Sequence, residues 1–182
     1  VMAESFDMWV YPKCKNGYAM HFRDWAERDM TNLILCHRNH PSIVMWSIGN
    51  EIPEQWSVQG RQLSRWLQNI CHHLDPTRPV TQGMDKAEAS LQSGFAQVMD
   101  VAGFNYRVHK FDQSISQLPQ GVLLGSESAS TVSSRGVYDI SCSSPREAKA
   151  VTSGGFPLEG QCSSYDTDFC YWSNLPEADF IM

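Results

Sequence analysis

The chain has 182 residues and a formal net charge of −6, from 14 basic and 20 acidic residues. That length carries one domain with a real core. Lys and Arg are scattered rather than clustered, which with the acidic balance argues against a nucleic-acid or anionic-membrane surface, and no apolar run approaches the ~18 residues of a membrane span.

Taken in chain order, "VMAESFDMW" starts apolar and turns polar at Glu4 and Asp7, the look of a strand end. "HFRDWAERDMTNLILCHR" follows, with Trp25, Met30, Leu33 and Ile34 at near-helical spacing and charged residues between them. This is an amphipathic helix. Asn39-His40-Pro41 breaks it, and a strand over 43–48 begins almost at once. Its bulky residues Ile43, Val44, Met45 and Trp46 predict burial on both faces, the habit of parallel sheets. The run stops on Gly49-Asn50-Glu51, so an amide and a carboxylate stand at its carboxyl end.

"VQGRQLSRWLQNICHHLDP" is a second helix, with Leu63, Trp66, Leu67, Ile70 and Leu74 on one face and Asp75-Pro76 ending it. "RPVTQG" is a short strand, a weaker helix covers about 85–97, and "MDVAGFNY" is another strand. A short irregular link leads to "GVLLGSES", the last strand.

Strands alternating with amphipathic helices predict a parallel sheet with helices packed outside it. A flavodoxin-like open sheet gives the same rhythm, but it usually shows a Gly-rich phosphate loop after an early strand, and none is present. A partial (β/α)8 barrel fits better, because polar groups (Glu4 and Asp7, Asn50 and Glu51, Asn105 and Tyr106, Ser126 and Glu127) stand at the carboxyl ends of several strands, where barrel active sites sit. A whole barrel takes about 250 residues and eight strands. Residues 1–182 are therefore expected to be a single barrel segment truncated at both ends. Val1 opens within a strand, no signal peptide is visible, and Asp179-Phe180-Ile181-Met182 carries no stop signal.

From Ser128 onward the sequence is rich in Ser, Gly and Pro and has no sustained period, so 128–182 reads as a long loop after the last strand. Long structureless loops in compact domains are often functional. Tyr138, Tyr165, Tyr171 and Trp172 suggest an active-site loop; a loop ordered only by packing on other domains stands beside that reading. The six cysteines (Cys14, Cys36, Cys71, Cys142, Cys162 and Cys170) form no CxxC pair and no zinc-finger spacing, so they are expected to be mostly free thiols. Cys36-His37-x-x-His40 looks like a metal cluster, but no second pair completes four ligands.

Glu51 and Glu127 hold corresponding positions, each just past an apolar strand. If both strands belong to one parallel barrel, the two carboxylates reach the same face. That is the equipment for glycosidic bond cleavage: one carboxyl protonates the departing oxygen, and the other attacks the anomeric carbon or activates a water. Environment must then hold one protonated while the other is ionised. A lone Glu at a strand end is more often a solvated or capping residue.

"RNHPSIVMWSIGNE" resembles the fourth-strand signature of glycoside hydrolase family 2, which holds β-galactosidases, β-glucuronidases and β-mannosidases. "ESFDMW" resembles the end of that family's third strand, "GFNY" its sixth, and "LLGSESAST…SSRG" the seventh strand of its β-galactosidase-like bacterial members. The later "SSYD" with Tyr171-Trp172 is similar to that subgroup. The resemblance implies a partial TIM barrel, strands three to seven, from a retaining enzyme acting on β-linked sugars, most of all β-galactosides. It implies Glu51 as general acid/base, Glu127 as nucleophile, Asn50 on the sugar 2-hydroxyl, Tyr106 donating to Glu127, and Asp7 near the substrate. Trp46 reads as core, and Trp172 is a candidate to stack on a sugar.

Departures are also visible. Cys36-His37 stand where the family usually has Arg-Asp, and Ala3 stands where Asp is common. Metal-dependent β-galactosidases carry a Glu and a His at the third-strand end; here Asp7-Met8-Trp9 has no such His, so no metal or other cofactor is expected. The expected partners are a carbohydrate substrate and the β-sandwich domains and remaining barrel strands of a parent chain. Export is usual for polysaccharide breakdown, though the compartment stays open. Three readings stand beside the leading one: an inactive fragment, a non-catalytic carbohydrate-binding barrel, and a family-2 β-glucuronidase or β-mannosidase. The presence together of Glu51, Glu127, Asn50 and Tyr106 argues against the second.

Overall fold

The computed structural model describes residues 1–106 and 110–127. Residues 128–182 lie outside these, and with them Tyr138, Tyr165, Tyr171, Trp172, Cys142, Cys162 and Cys170. The chain divides into two compact units, Val1–Asn105 with His109–Ser126, and Tyr106–Val108 with Glu127–Met182. Of the second unit only Tyr106 and Glu127 are described.

The elements alternate: β1 (Met2–Glu4), α1 (Ala19–His37), β2 (Met45–Asn50), α2 (Val58–Leu74), β3 (Val80–Met84), α3 (Ala87–Gln92), β4 (Ala102–Asn105), α4 (Phe111–Ile115) and β5 (Leu123–Glu127). They form one sheet in the order β1-β2-β3-β4-β5. The pairs β1-β2, β2-β3 and β3-β4 are parallel, with Glu4 beside Ser47, Trp46 beside Val80, and Gly83 beside Gly103. Strands added strictly in chain order are the barrel pattern; a doubly wound sheet reverses its order at a switch point. The fold is therefore a partial (β/α)8 barrel.

Strand alternation divides the sheet into two chemistries. Trp46, Ile48, Val80, Met84, Ala102 and Phe104 join the helical residues Phe22, Met30, Ile34 and Leu67 in one buried apolar cluster. Their alternates are small or polar: Ser47 donates to Glu4 Oε2 at 2.8 Å, and Thr81 Oγ1 donates to the Val101 carbonyl at 2.8 Å. Burial of the apolar side stabilises by roughly 25 cal/mol per Å², and the polar side is left for a site.

Four local expectations are corrected. In α1 the buried stripe is Phe22, Ala26, Met30 and Ile34. Trp25 sits about 100° round the helix from Ala26; it is 45 % exposed and lies under the Arg28 guanidinium, 5.0 Å from its ring. Val44 is 61 % exposed, because the strand begins at Met45 and the Val44 N–H is spent on the Val1 carbonyl at 3.0 Å. The third helix stops at Gln92 rather than running to 97, because Gly94 takes a left-handed φ of 76° and a short 3-10 turn, Ala96–Val98, follows. The link before the last strand contains the short helix α4, which its five residues are too few to announce by periodicity.

The amino ends of the strands are stapled by Asp75. Its carboxylate accepts from Trp46 Nε1 at 3.0 Å, Arg78 Nη1 at 2.6 Å, and the Thr77 N–H and hydroxyl. Arg78 also donates to the Ile43 carbonyl at 2.7 Å. Burial pushes the Asp75 carboxyl up, but its Thr77, Arg78 and Trp46 donors outweigh that and hold it down at about 2. A depressed carboxylate contributes stability that is complete above the usual carboxylate range near pH 4 and is lost as pH falls through its folded value. The unfolding midpoint should accordingly fall between about pH 4 and pH 2, and Asp75→Asn should remove that part of the slope. The same variant should lower stability at neutral pH by about 2–4 kcal/mol in denaturant titrations.

Burial pushes the Cys71 thiol up to about 12, whereas Cys14 and Cys36 are exposed. Only thiolates alkylate readily. Iodoacetamide mapping of the native protein should label Cys14 and Cys36 and spare Cys71, which should react only after unfolding.

Candidate active site

The site is built where β2 leaves the sheet. Simple alternation would place Asn50 on the side of Trp46 and Ile48, in the apolar cluster. The register prevents this: Ser47 stands beside Thr81 but Asn50 beside Gly83, so β2 carries one extra residue between those pairs. Such a bulge re-aims the side chain that follows it, and Asn50 turns to the side of Gly83. A Cβ at Gly83 would lie 2.7 Å from Asn105 Oδ1 and 3.1 Å from Asn50 Oδ1. Glycine there leaves the gap in which an amide of β2 and an amide of β4 meet across β3.

Asn105 fills that gap. Its Nδ2 donates to Asn50 Oδ1 at 3.0 Å and to Glu51 Oε1 at 3.0 Å, and its Oδ1 accepts from Ser126 Oγ at 2.7 Å. Asn105 is only 1 % exposed and Glu51 9 %. Asn50 Nδ2 in turn donates to Asp7 Oδ1 at 3.2 Å, and Lys13 Nζ binds both Asp7 Oδ1 at 3.0 Å and the Asn50 carbonyl at 2.8 Å. The segment carrying Asp7 and Lys13 is itself fixed from below. The fully buried Glu54 accepts the Val10 and Tyr11 N–H groups at 2.8 and 2.7 Å, and Trp9 Nε1 donates to the Ile48 carbonyl at 3.0 Å.

Glu51 has a left-handed φ of 45°, which costs a non-glycine residue about 1–3 kcal/mol. Its N–H still finds the Gly83 carbonyl at 2.7 Å, so the strain is held by a strand bond. Tyr106 is likewise left-handed, with φ 60°. In the second unit its hydroxyl donates to Glu127 Oε2 at 2.6 Å, and its N–H to the Glu127 carbonyl. Glu127 is the last residue of β5. Two residues in sparsely populated backbone at strand ends, both tied to polar networks, point to function.

Asp7, Asn50 and Glu51 are thus brought into one network, and Tyr106 and Glu127 into a bonded pair. Trp46 is fully buried with its indole on Asp75, so it packs as core. At the end of β1, Asp7 is engaged by Lys13 and Asn50, while Met8 and Trp9 are buried. Among the described residues no group of three or more His, Cys, Asp or Glu side chains could hold a metal ion. Gly83, Lys13 and Glu54 were not singled out from sequence, and Asn105 and Ser126 only as polar residues at strand ends. Glycines inside strand patterns, at Gly49 and Gly83, were the available signal of a bulge or close approach.

Residues 13–119 match the pattern of the glycosyl hydrolases family 2, TIM barrel domain. The chain belongs to glycosyl hydrolase family 2. A β-galactosidase of Bacteroides ovatus, BoGH2A, is 32 % identical over 97 % of this chain, and the chain spans 25 % of that relative's length. A β-glucuronidase of Paenibacillus borealis is 38 % identical over 52 residues, 29 % of this chain and 9 % of its own. Among solved structures, a family 2 member from Bacteroides cellulosilyticus superposes with a TM-score of 0.66 at 34 % identity, covering 71 % of this chain and 17 % of that one. The five-stranded sheet is therefore a portion of the family 2 barrel.

Gly83→Ala tests the gap across β3. The added methyl should push the Asn105 amide off Asn50 and Glu51, and misplacement by about 1 Å can lower turnover about 10²-fold. Steady-state kinetics of the native polypeptide should show that loss in kcat, with a thermal midpoint close to that of the unsubstituted protein.

Proposed function

We propose that the protein is a retaining β-glycoside hydrolase, with Glu51 as general acid/base and Glu127 as nucleophile. What supports this reading is a glutamate directly after β2 and another closing β5 in a chain of family 2. In the first step Glu127 attacks the anomeric carbon while Glu51 gives its proton to the departing oxygen. In the second, Glu51 takes a proton from water, the water oxygen bonds to the anomeric carbon, and the Glu127 carboxylate leaves. The Tyr106 hydroxyl, donating to Glu127 Oε2 at 2.6 Å, orients the nucleophile. Asn50 is the donor or acceptor for the sugar 2-hydroxyl, and Asp7 borders the same sugar.

The substrate is a terminal β-galactoside. What supports this is likeness to BoGH2A along almost the whole chain. The shorter likeness to a β-glucuronidase keeps β-glucuronides as the second reading. The partner is thus a carbohydrate, and the remaining barrel strands and accompanying domains belong to the parent polypeptide.

Hydrolysis followed by proton NMR should release the β-anomer first, and an α-anomer first would overturn the double displacement. A 2-deoxy-2-fluoro β-galactosyl donor should leave its glycosyl mass on the peptide containing Glu127. In a panel of aryl β-glycosides the galactoside should give the highest kcat/KM. A higher value for the glucuronide would change the sugar and leave the reaction standing.

A further inference from the structure

We propose that Asn105 is the positioning residue of Glu51, holding its Oε1 so that the carboxyl is aimed for proton transfer. This rests on the reading of Glu51 as the acid/base.

The argument is one of hydrogen-bond polarity. Lys13 can only donate and an ionised Asp7 can only accept. The Asn50 amide must therefore turn its Nδ2 to Asp7, at 3.2 Å, which leaves its Oδ1 for Asn105. Asn105 then has both Nδ2 hydrogens committed, one to Asn50 Oδ1 and one to Glu51 Oε1, each at 3.0 Å. Its oxygen takes the Ser126 hydroxyl at 2.7 Å. With the Asn105 amide reversed, its oxygen would face Asn50 Oδ1, two acceptors with no hydrogen between them. The relay runs one way, anchored at Asp7 and seated at Ser126. Because Asn105 is 1 % exposed, water does not compete for these bonds, and each is stronger than it would be in solvent.

The consequence for Glu51 is atomic. The Asn105 N–H fixes Glu51 Oε1 and with it the plane of the carboxyl that transfers the proton. After transfer, the same N–H stabilises the carboxylate that remains. Asn105 touches neither sugar nor water in this scheme; it acts through Glu51 alone.

The experiment compares kcat/KM, which reports the first step, on dinitrophenyl and methyl β-glycosides of the sugar preferred in the panel above, using the native polypeptide. Dinitrophenolate departs without protonation, whereas methoxide needs the acid. Glu51→Ala should lose about 10²–10⁴-fold on the methyl glycoside and far less on the dinitrophenyl one, the contribution expected of a general acid. Asn105→Asp keeps the side-chain shape but removes the donors, and Asn105→Ala removes the amide. Both should show the same bias, about 10-fold or more, since general acid catalysis depends on positioning. Ser126→Ala should show it more weakly. Equal losses on both substrates in the Asn105 variants, with Glu51→Ala still biased, would overturn the positioning role. An unbiased Glu51→Ala would overturn the acid/base reading itself. Should Asn105→Ala fail to fold, the isosteric Asn105→Asp carries the test.

Discussion

One extra residue between Ser47 and Asn50 turns an amide away from the apolar side of β2 and toward Gly83. Without that turn, Asn50 would lie on the side of Trp46 and Ile48 in the helix-facing core, where a primary amide has no partners and its burial is unfavourable by several kcal/mol. With it, Asn50, Asn105, Glu51, Asp7 and Ser126 share one hydrogen-bonded path across four strands. The strand end is therefore a compromise. The ladder loses a regular pairing and Glu51 takes a left-handed backbone, and the offset comes from bonds that only this register permits.

Strain of that kind persists only where the surroundings over-determine it. Here they do so from two directions. The segment after β1 is gripped on either side of Glu51: Trp9 donates to the Ile48 carbonyl before it, and Glu54 after it accepts the Val10 and Tyr11 N–H groups. Gly83 supplies both the empty space for Asn105 and the carbonyl that receives the Glu51 N–H. Single side chains thus serve packing and polarity together, which is why the polar cluster is buried without losing its order.

The alternation of strands and helices was legible because its causes are local. Apolar runs such as Ile43–Trp46 and the stripe through Leu67 are written in consecutive residues, and a carboxylate directly after such a run marks the strand end. The family signature around Asn50-Glu51 was legible for the same reason. Trp25 was misread because several apolar residues of α1 compete for one face, and the choice of Phe22, Ala26, Met30 and Ile34 is made by what packs against them. Asn105 was seen only as a strand-end residue. Its role depends on register between β2, β3 and β4, a quantity fixed by pairing across the sheet rather than by neighbours in the chain.

The staple at Asp75 has a consequence for how this barrel can change over generations. Asp75 and Arg78 tie the end of α2, the entry to β2 and the start of β3 at the amino ends of the strands, while the amide path and Glu51 stand at the carboxyl ends. On the proposed reading, holding the scaffold and shaping the chemistry thus fall to different residues at opposite ends of the same strands. Loops on the carboxyl side can be exchanged, lengthened or recoloured with new side chains while the staple keeps the sheet together. A lineage carrying this arrangement has room to try new sugars before it risks losing the fold.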